Sequence, residues 1–211
     1  CTFEILYFSN ENSIIDGYHI KKIREQLSTK LADKEDIALN NHIVIGIPLT
    51  GILLGKAYAR RLDLIYEQWI TKNPKMDRTF IIKTDKERKA ACMKKFYYDV
   101  LELKGRNVII VDDTIVRGTV ITAIIKKLRE IGVNEIHVRI PAPPVIDICL
   151  LGISIQDKRE LIKTNRSVEQ VCKAINADSL KYLTLEDISD VVPEKSYNHC
   201  FSGYIDERIL S

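Results

Sequence analysis

The sequence predicts an α/β fold, a mainly parallel sheet flanked by helices, and three observations carry that prediction. Two short apolar runs, "HIVIGIP" (42–48) and "NVIIVDD" (107–113), are too short for helices and do not alternate, as expected of strands buried on both faces. Each is followed within a few residues by a longer stretch with apolar residues at helical spacing. A third run, "EIHVRIP" (135–141), comes after the second of those helices, so strand and helix alternate as in βαβ units.

Taken in order, "TFEILYF" (2–8) alternates and is rich in aromatics, which predicts a strand. Residues 17–32 place Ile20, Ile23, Leu27 and Leu31 on one helical face. The strand at 42–48 leads through "LTG" into a helix over "ILLGKAYARRL". Residues 72–106 then differ in composition: eleven Lys/Arg stand against five Asp/Glu, a surplus of six where the whole chain carries +3. A helix is predicted over 119–131. Beyond "PAPP" (141–144) the chain turns helical, with "SVEQVCKAI" (167–175) and "TLEDISDVV" (184–192) each opened by an N-cap residue. The expected organisation is a core over 1–155 and, over 156–211, a helical C-terminal extension with an irregular tail after Pro193.

Bulk properties exclude several classes. With 211 residues, 45 % of them hydrophobic, the chain can bury one sizeable core. A net charge of +3 is too small to imply nucleic acid, and no apolar run approaches the roughly 18 residues of a membrane span. No signal peptide opens the chain. The five cysteines (1, 92, 149, 172, 200) are scattered and odd in number, which suits a reducing compartment and a cytoplasmic location rather than a disulfide framework.

The chemistry concentrates in "VIIVDDTIVRGT" (108–119). Asp112 and Asp113 end a buried strand, at the sheet edge where open α/β folds bind ligands. Two adjacent carboxylates can grip vicinal hydroxyls or help hold a hard cation such as Mg²⁺. Thr114, Arg117, Gly118 and Thr119 follow at a helix start, where free amides and the helix dipole favour an anion. Together these describe a ligand with a sugar diol beside a phosphate.

This stretch resembles the ribose-phosphate signature of the type I phosphoribosyltransferases, which use 5-phosphoribosyl-1-pyrophosphate (PRPP), and so implies that fold. Further stretches resemble one family, the glutamine PRPP amidotransferases (amidophosphoribosyltransferases). They are "CTFEILYF", "SIIDG", "VIGIPLTG", "RTFI", "HVRIPAPP", "RSVEQV" and "ADSLKYLTLE", in the family's order over nearly the whole chain. The resemblance covers the phosphoribosyltransferase half only. "CTFE" matches an internal cysteine of the family, so Cys1 is not expected to be a glutaminase nucleophile, and the chain alone is not expected to hydrolyse glutamine.

The resemblance implies attack of ammonia on PRPP, forming 5-phosphoribosylamine and pyrophosphate with Mg²⁺, the first step of de novo purine biosynthesis. It casts Asp112 and Asp113 as holders of ribose hydroxyls and metal, with Thr50 joining the metal shell and Gly51 the substrate site. Thr114, Arg117, Gly118 and Thr119 cradle the 5′-phosphate. The basic segment at about 71–96 corresponds to a flexible loop that closes over PRPP, in which Lys72, Arg78 and Lys95 contact pyrophosphate. Implied partners are a glutaminase domain, purine nucleotides as feedback inhibitors, and further copies of the chain. Departures from the family pattern are Leu49 for a common acid, Val120 for a hydroxyl and Tyr97 for an Asn.

One branch of the family binds a [4Fe–4S] cluster through four cysteines. Cys1, Cys149 and Cys200 fall on three of those positions, but the fourth is Tyr197, a poor replacement for a thiolate. The cysteines are therefore expected to pack rather than ligate. Two other functions compete: a non-catalytic PRPP-binding regulator or degenerate homologue, and a purine salvage phosphoribosyltransferase. The first would carry a nucleic-acid-binding element, and the second a hood for the base.

Overall fold

The computed structural model describes residues 1–74, 95–151, 155, 157–193 and 196–205. A small antiparallel hairpin, β1 (Ile14–Ile15) and β2 (Tyr18–His19), leads into α1 (Ile20–Asp33). The central sheet begins with β3 (His42–Gly46), followed by α2 (Thr50–Arg61) and β4 (Ile65–Tyr66). A second antiparallel ribbon pairs β5 (Ile70–Lys72) with β6 (Phe96–Tyr98), and the short helix α3 (Val100–Leu103) follows. Next come β7 (Asn107–Val111), α4 (Thr119–Ile131) and β8 (Glu135–Ile140). The chain closes with α5 (Val168–Ile175), β9 (Ser179–Tyr182), α6 (Leu185–Ile188) and α7 (His199–Ser202).

The sheet runs in the order β4-β3-β7-β8-β9, and every pairing in it is parallel. Apart from the partly buried Asn107, β3 and β7 are buried throughout, which explains why they read as continuous apolar runs: both faces are covered. Helix α4 matches the predicted span of 119–131 and ends at Gly132 in the left-handed conformation, as a helix stop requires. Both downstream helices begin at reciprocal caps, Ser167 with Gln170 and Thr184 with Asp187.

Two expectations need correction. "TFEILYF" is not a strand: Glu4–Phe8 form a π-helical turn closed by the Ser9 N–H donating to the Glu4 carbonyl at 3.0 Å. Tertiary contacts override the alternation. Arg24, buried in α1, donates from Nε to the Ile5 carbonyl and from Nη2 to the Ser9 carbonyl, both at 2.9 Å. Phe3 stacks on Phe201 with ring centroids 5.7 Å apart, so the aromatics serve a helix–helix contact. The region beyond residue 144 is also not purely helical, because β9 joins the main sheet beside β8. Its four residues, SLKY, are all partly buried and too few to stand out by periodicity.

Within residues 196–205, backbone contacts tie the tail to the core. The Thr2 N–H donates to the Tyr197 carbonyl at 2.8 Å, and the Ile146 N–H to the Cys200 carbonyl at 2.8 Å. Among the described residues, no helix is long and apolar enough to cross a membrane.

Candidate active site

Strand β7 delivers Asp112 and Asp113 to the carboxyl edge of the sheet, and α2 and α4 start beside them. Strand and helix can approach this closely only because of glycine. A Cβ on Gly46 would lie 2.3 Å from the Gly51 carbonyl oxygen, and one on Gly51 would lie 2.5 Å from that of Val111. Gly51 thus seats α2 against the strand end, behind the site, while Thr50 at the helix start faces into it.

The result is a cavity of about 620 Å³. Thr50, Lys72, Lys95, Asp112, Asp113, Thr114, Arg117, Gly118 and Thr119 all line it, so nine side chains or backbone positions named from the sequence converge. Lys72 and Lys95 both come to the cavity at the end of the β5–β6 ribbon, where Lys72 pairs with Phe96 and the Asn73 N–H donates to the Lys95 carbonyl at 2.9 Å. Arg78 and most of the expected closing loop lie outside the described residues.

Asp113 is 7 % exposed and Asp112 is partly buried. Burial pushes the Asp113 carboxyl up to about 6, against hydrogen bonds from Thr114 and Thr50 and the charge of Arg24. The Thr114 Oγ1 donates to Asp113 Oδ1 at 2.8 Å, and the Asp113 N–H to Asp112 Oδ1 at 3.0 Å. Burial, then the neighbouring charge of Asp113, holds Asp112 well above the usual carboxylate range, with Lys95 pulling the other way. These are hydrogen-bonded but under-compensated negative charges, and a bound cation or diol hydroxyls would stabilise them.

Helix α4 presents the opposite polarity. Gly118, at φ +73°, is its N-cap and supplies no side-chain cap, so the amides of the first turn have no intrahelical acceptor. Glycine is needed there on two counts: the left-handed backbone, and the Ile162 Cδ1 that a Cβ would meet at 2.3 Å. Arg117 lines the cavity, and its Nε donates to Glu160 Oε2 at 2.6 Å.

Sequence reasoning missed one wall. Phe3, Tyr7 and Phe8 of the N-terminal turn line the cavity, and burial followed by the charges of Asp113 and Asp112 raises the Tyr7 hydroxyl. The aromatic content of 2–8 was the available signal, but read as a strand it pointed nowhere. Of the departures, Leu49 stands on the cavity wall and is 70 % exposed, Val120 lines the cavity, and Tyr97 does not.

Of the cysteines named for a cluster, Cys149 and Cys200 lie near one another. Cys1 precedes the Thr2 contact with Tyr197, and the charge of Cys149 acts on Cys200. Their chemistry does not fit a four-thiolate site. The fourth position, Tyr197, offers a hard phenol oxygen where the cluster needs a soft thiolate.

A parallel sheet whose carboxyl edge carries paired acids beside an uncapped helix start suits a ligand with both hydroxyls and phosphate. Residues 13–143 match the phosphoribosyl transferase domain, and the chain belongs to that family. More particularly, it is similar to amidophosphoribosyltransferases. That of Methanothermobacter thermautotrophicus is 34 % identical over 206 residues, 98 % of this chain and 43 % of that protein. That of Pyrococcus horikoshii is 37 % identical over 183 residues, 87 % of this chain and 40 % of that protein. The solved structure of glutamine PRPP amidotransferase from B. subtilis, complexed with ADP and GMP, superposes with a TM-score of 0.83 at 33 % identity, over 97 % of this chain and 46 % of that one. The chain thus spans less than half the length of these relatives.

Proposed function

We propose that the chain is the phosphoribosyltransferase half of an amidophosphoribosyltransferase, converting PRPP and ammonia into 5-phosphoribosylamine and pyrophosphate. The observation that carries this reading is the raised Asp112–Asp113 pair facing the uncapped start of α4 within one cavity. The spacing suits a ligand with a diol next to a phosphate.

In this reading the carboxylates of Asp112 and Asp113 accept hydrogen bonds from the ribose hydroxyls, which fixes the sugar ring. Thr114, Thr119 and the amides around Gly118 hold the 5′-phosphate, with Arg117 at the rim. Lys72 and Lys95 stand where a leaving pyrophosphate gathers charge, and Arg78 is assigned the same task within the closing segment. The nitrogen of ammonia bonds to C1 of the ribose as the C1–oxygen bond breaks. Pyrophosphate departs with the electron pair, and the new amine gives up a proton. Orientation and charge stabilisation account for most of the catalysis. Thr50, Asp112 and Asp113 would hold Mg²⁺, since they are hard oxygen donors whose buried charge a cation relieves. When bound, Mg²⁺ would neutralise pyrophosphate charge.

Purine nucleotides as feedback inhibitors, a glutaminase domain supplying ammonia, and assembly into homo-oligomers belong to the same reading, as does a cytoplasmic location. The exposed Leu49 on the cavity wall favours a second reading, a PRPP-binding protein without turnover.

The test is pyrophosphate release from PRPP with Mg²⁺ and ammonium salt, with glutamine in parallel and Asp113→Asn as control. Turnover with ammonia alone, lost in the variant, supports the synthase half. Calorimetric PRPP binding without turnover would select the second reading, and neither binding nor turnover would overturn both.

A further inference from the structure

The far end of the sheet holds a second cluster. His42 opens β3, Glu135 opens β8 and His137 follows two residues on, so all three project from one face across β7. Asn107 of β7 pairs with both His42 and Glu135, whereas Asp112 lies five residues further along, about 16 Å away at ~3.3 Å per residue. The cluster is therefore separate from the cavity.

We infer that His42, Glu135 and His137 form a binding site for a divalent transition metal of the Zn²⁺ type. One ligand atom from each lies within 4.8 Å of the others. Glu135 Oε2 is 3.1 Å from His42 Nε2 and 3.4 Å from His137 Nε2. Four-coordinate Zn²⁺ with bonds of about 2.0–2.1 Å separates its ligand atoms by roughly 3.3 Å, so these spacings need little adjustment. Two imidazoles and one carboxylate also form the donor set of three-ligand zinc sites, with a fourth position open.

The surroundings support ligation. His137 Nδ1 lies 2.8 Å from Ser179 Oγ, which accepts from Arg139 Nη1 at 2.9 Å. A second lone pair of that hydroxyl can take the Nδ1–H, which fixes the ring and leaves Nε2 its lone pair for a metal. His42 is 6 % exposed, and its Nε2 lies 3.1 Å from Glu135 Oε2, which ties this buried ring to the cluster. Without an ion, a single carboxylate oxygen serves two imidazoles. The Glu135 side chain is 45 % exposed, which leaves a path for an ion to enter.

The site is tested by titrating the metal-free chain with Co²⁺ and following the visible bands of a four-coordinate ion, then displacing Co²⁺ with Zn²⁺. One equivalent is expected to bind. Glu135→Gln, at a half-exposed position that leaves the fold intact, should weaken binding about tenfold or more. His137→Gln should abolish it, while Cys200→Ser should leave it unchanged. Absence of binding, binding indifferent to Glu135→Gln, or binding lost with Cys200→Ser would each overturn the assignment. Since Glu135→Gln folds independently of the buried histidines, a misfolded His137 variant does not blunt the test.

Discussion

Two sets of buried charge sit side by side at the carboxyl end of the sheet, and they are treated in opposite ways. Arg139 of β8 pairs in register with Val111, and its carbonyl accepts from the Asp112 N–H at 3.2 Å. The Arg139 side chain, 0 % exposed, meets Glu35 in a forked contact at 2.6 and 2.8 Å, and Tyr58 also hydrogen-bonds Glu35. Burial alone would raise Glu35, yet the hydrogen bonds from Arg139 and Tyr58 hold it down to about 2. One residue along the neighbouring strand, Asp112 and Asp113 are raised instead. The first set is neutralised by the protein itself and serves the fold. The second is left short of positive charge, which is what the proposed cation or diol would relieve.

That contrast can be broken most forcefully at Arg139. Arg139→Met removes the forked partner of the buried Glu35 and leaves it Tyr58 and, at 3.9 Å, Lys181, so stability should fall by about 3–5 kcal/mol, and the melting temperature by about 10 °C. Thermal denaturation checks it, and a loss within error would mean that the pair is not structural. The same cluster has a pH signature. Because the Glu35 carboxyl is depressed to about 2 from an ordinary value of 4.5, its stabilisation is fully present above 4.5 and is lost as pH falls through about 2. The amount is on the order of 3 kcal/mol, and Glu35→Gln should flatten this part of a denaturant-midpoint titration.

Asp113→Asn should behave in the opposite manner. It should lower kcat/KM for PRPP by about 10²-fold, or ~2.7 kcal/mol, without lowering the melting temperature near neutral pH, since burial disfavours the charge being removed. Steady-state kinetics and a melting curve on the same preparation give both readings. Gly118→Ala touches the phosphate side. Its left-handed backbone and the Ile162 contact predict a loss of about 1–2 kcal/mol together with a raised KM for PRPP. Smallest is Ser167→Ala, which removes a cap far from the cavity and should cost ~1 kcal/mol in stability with kinetics unchanged.

Much of the site was legible because its parts are local. A strand end, a doubled acid, a glycine turn and a helix start are contiguous over residues 108–119, and their chemistry does not depend on distant partners. Thr50 and Gly51 were named from the family resemblance alone. The aromatic wall was not: Phe3 and Tyr7 reach the cavity only because Arg24 and Phe201, far away in sequence, turn residues 4–8 into a helical turn. The His42–Glu135–His137 cluster was equally invisible, since His137 alone reads as a packing residue and its partners arrive from another strand and from the start of its own.

The sequence by itself determined the alternation of strand and helix, the parallel sheet and the acidic strand end, because apolar periodicity and local turn chemistry encode them within a few residues. Only the tertiary structure decided which charges would be satisfied. Arg139 lies inside one buried strand, and Asp112 and Asp113 follow the end of its neighbour. Their roles diverge because Glu35, 104 residues from Arg139, folds back to meet one of them. No comparable cation within ion-pair distance among the described residues answers the other two.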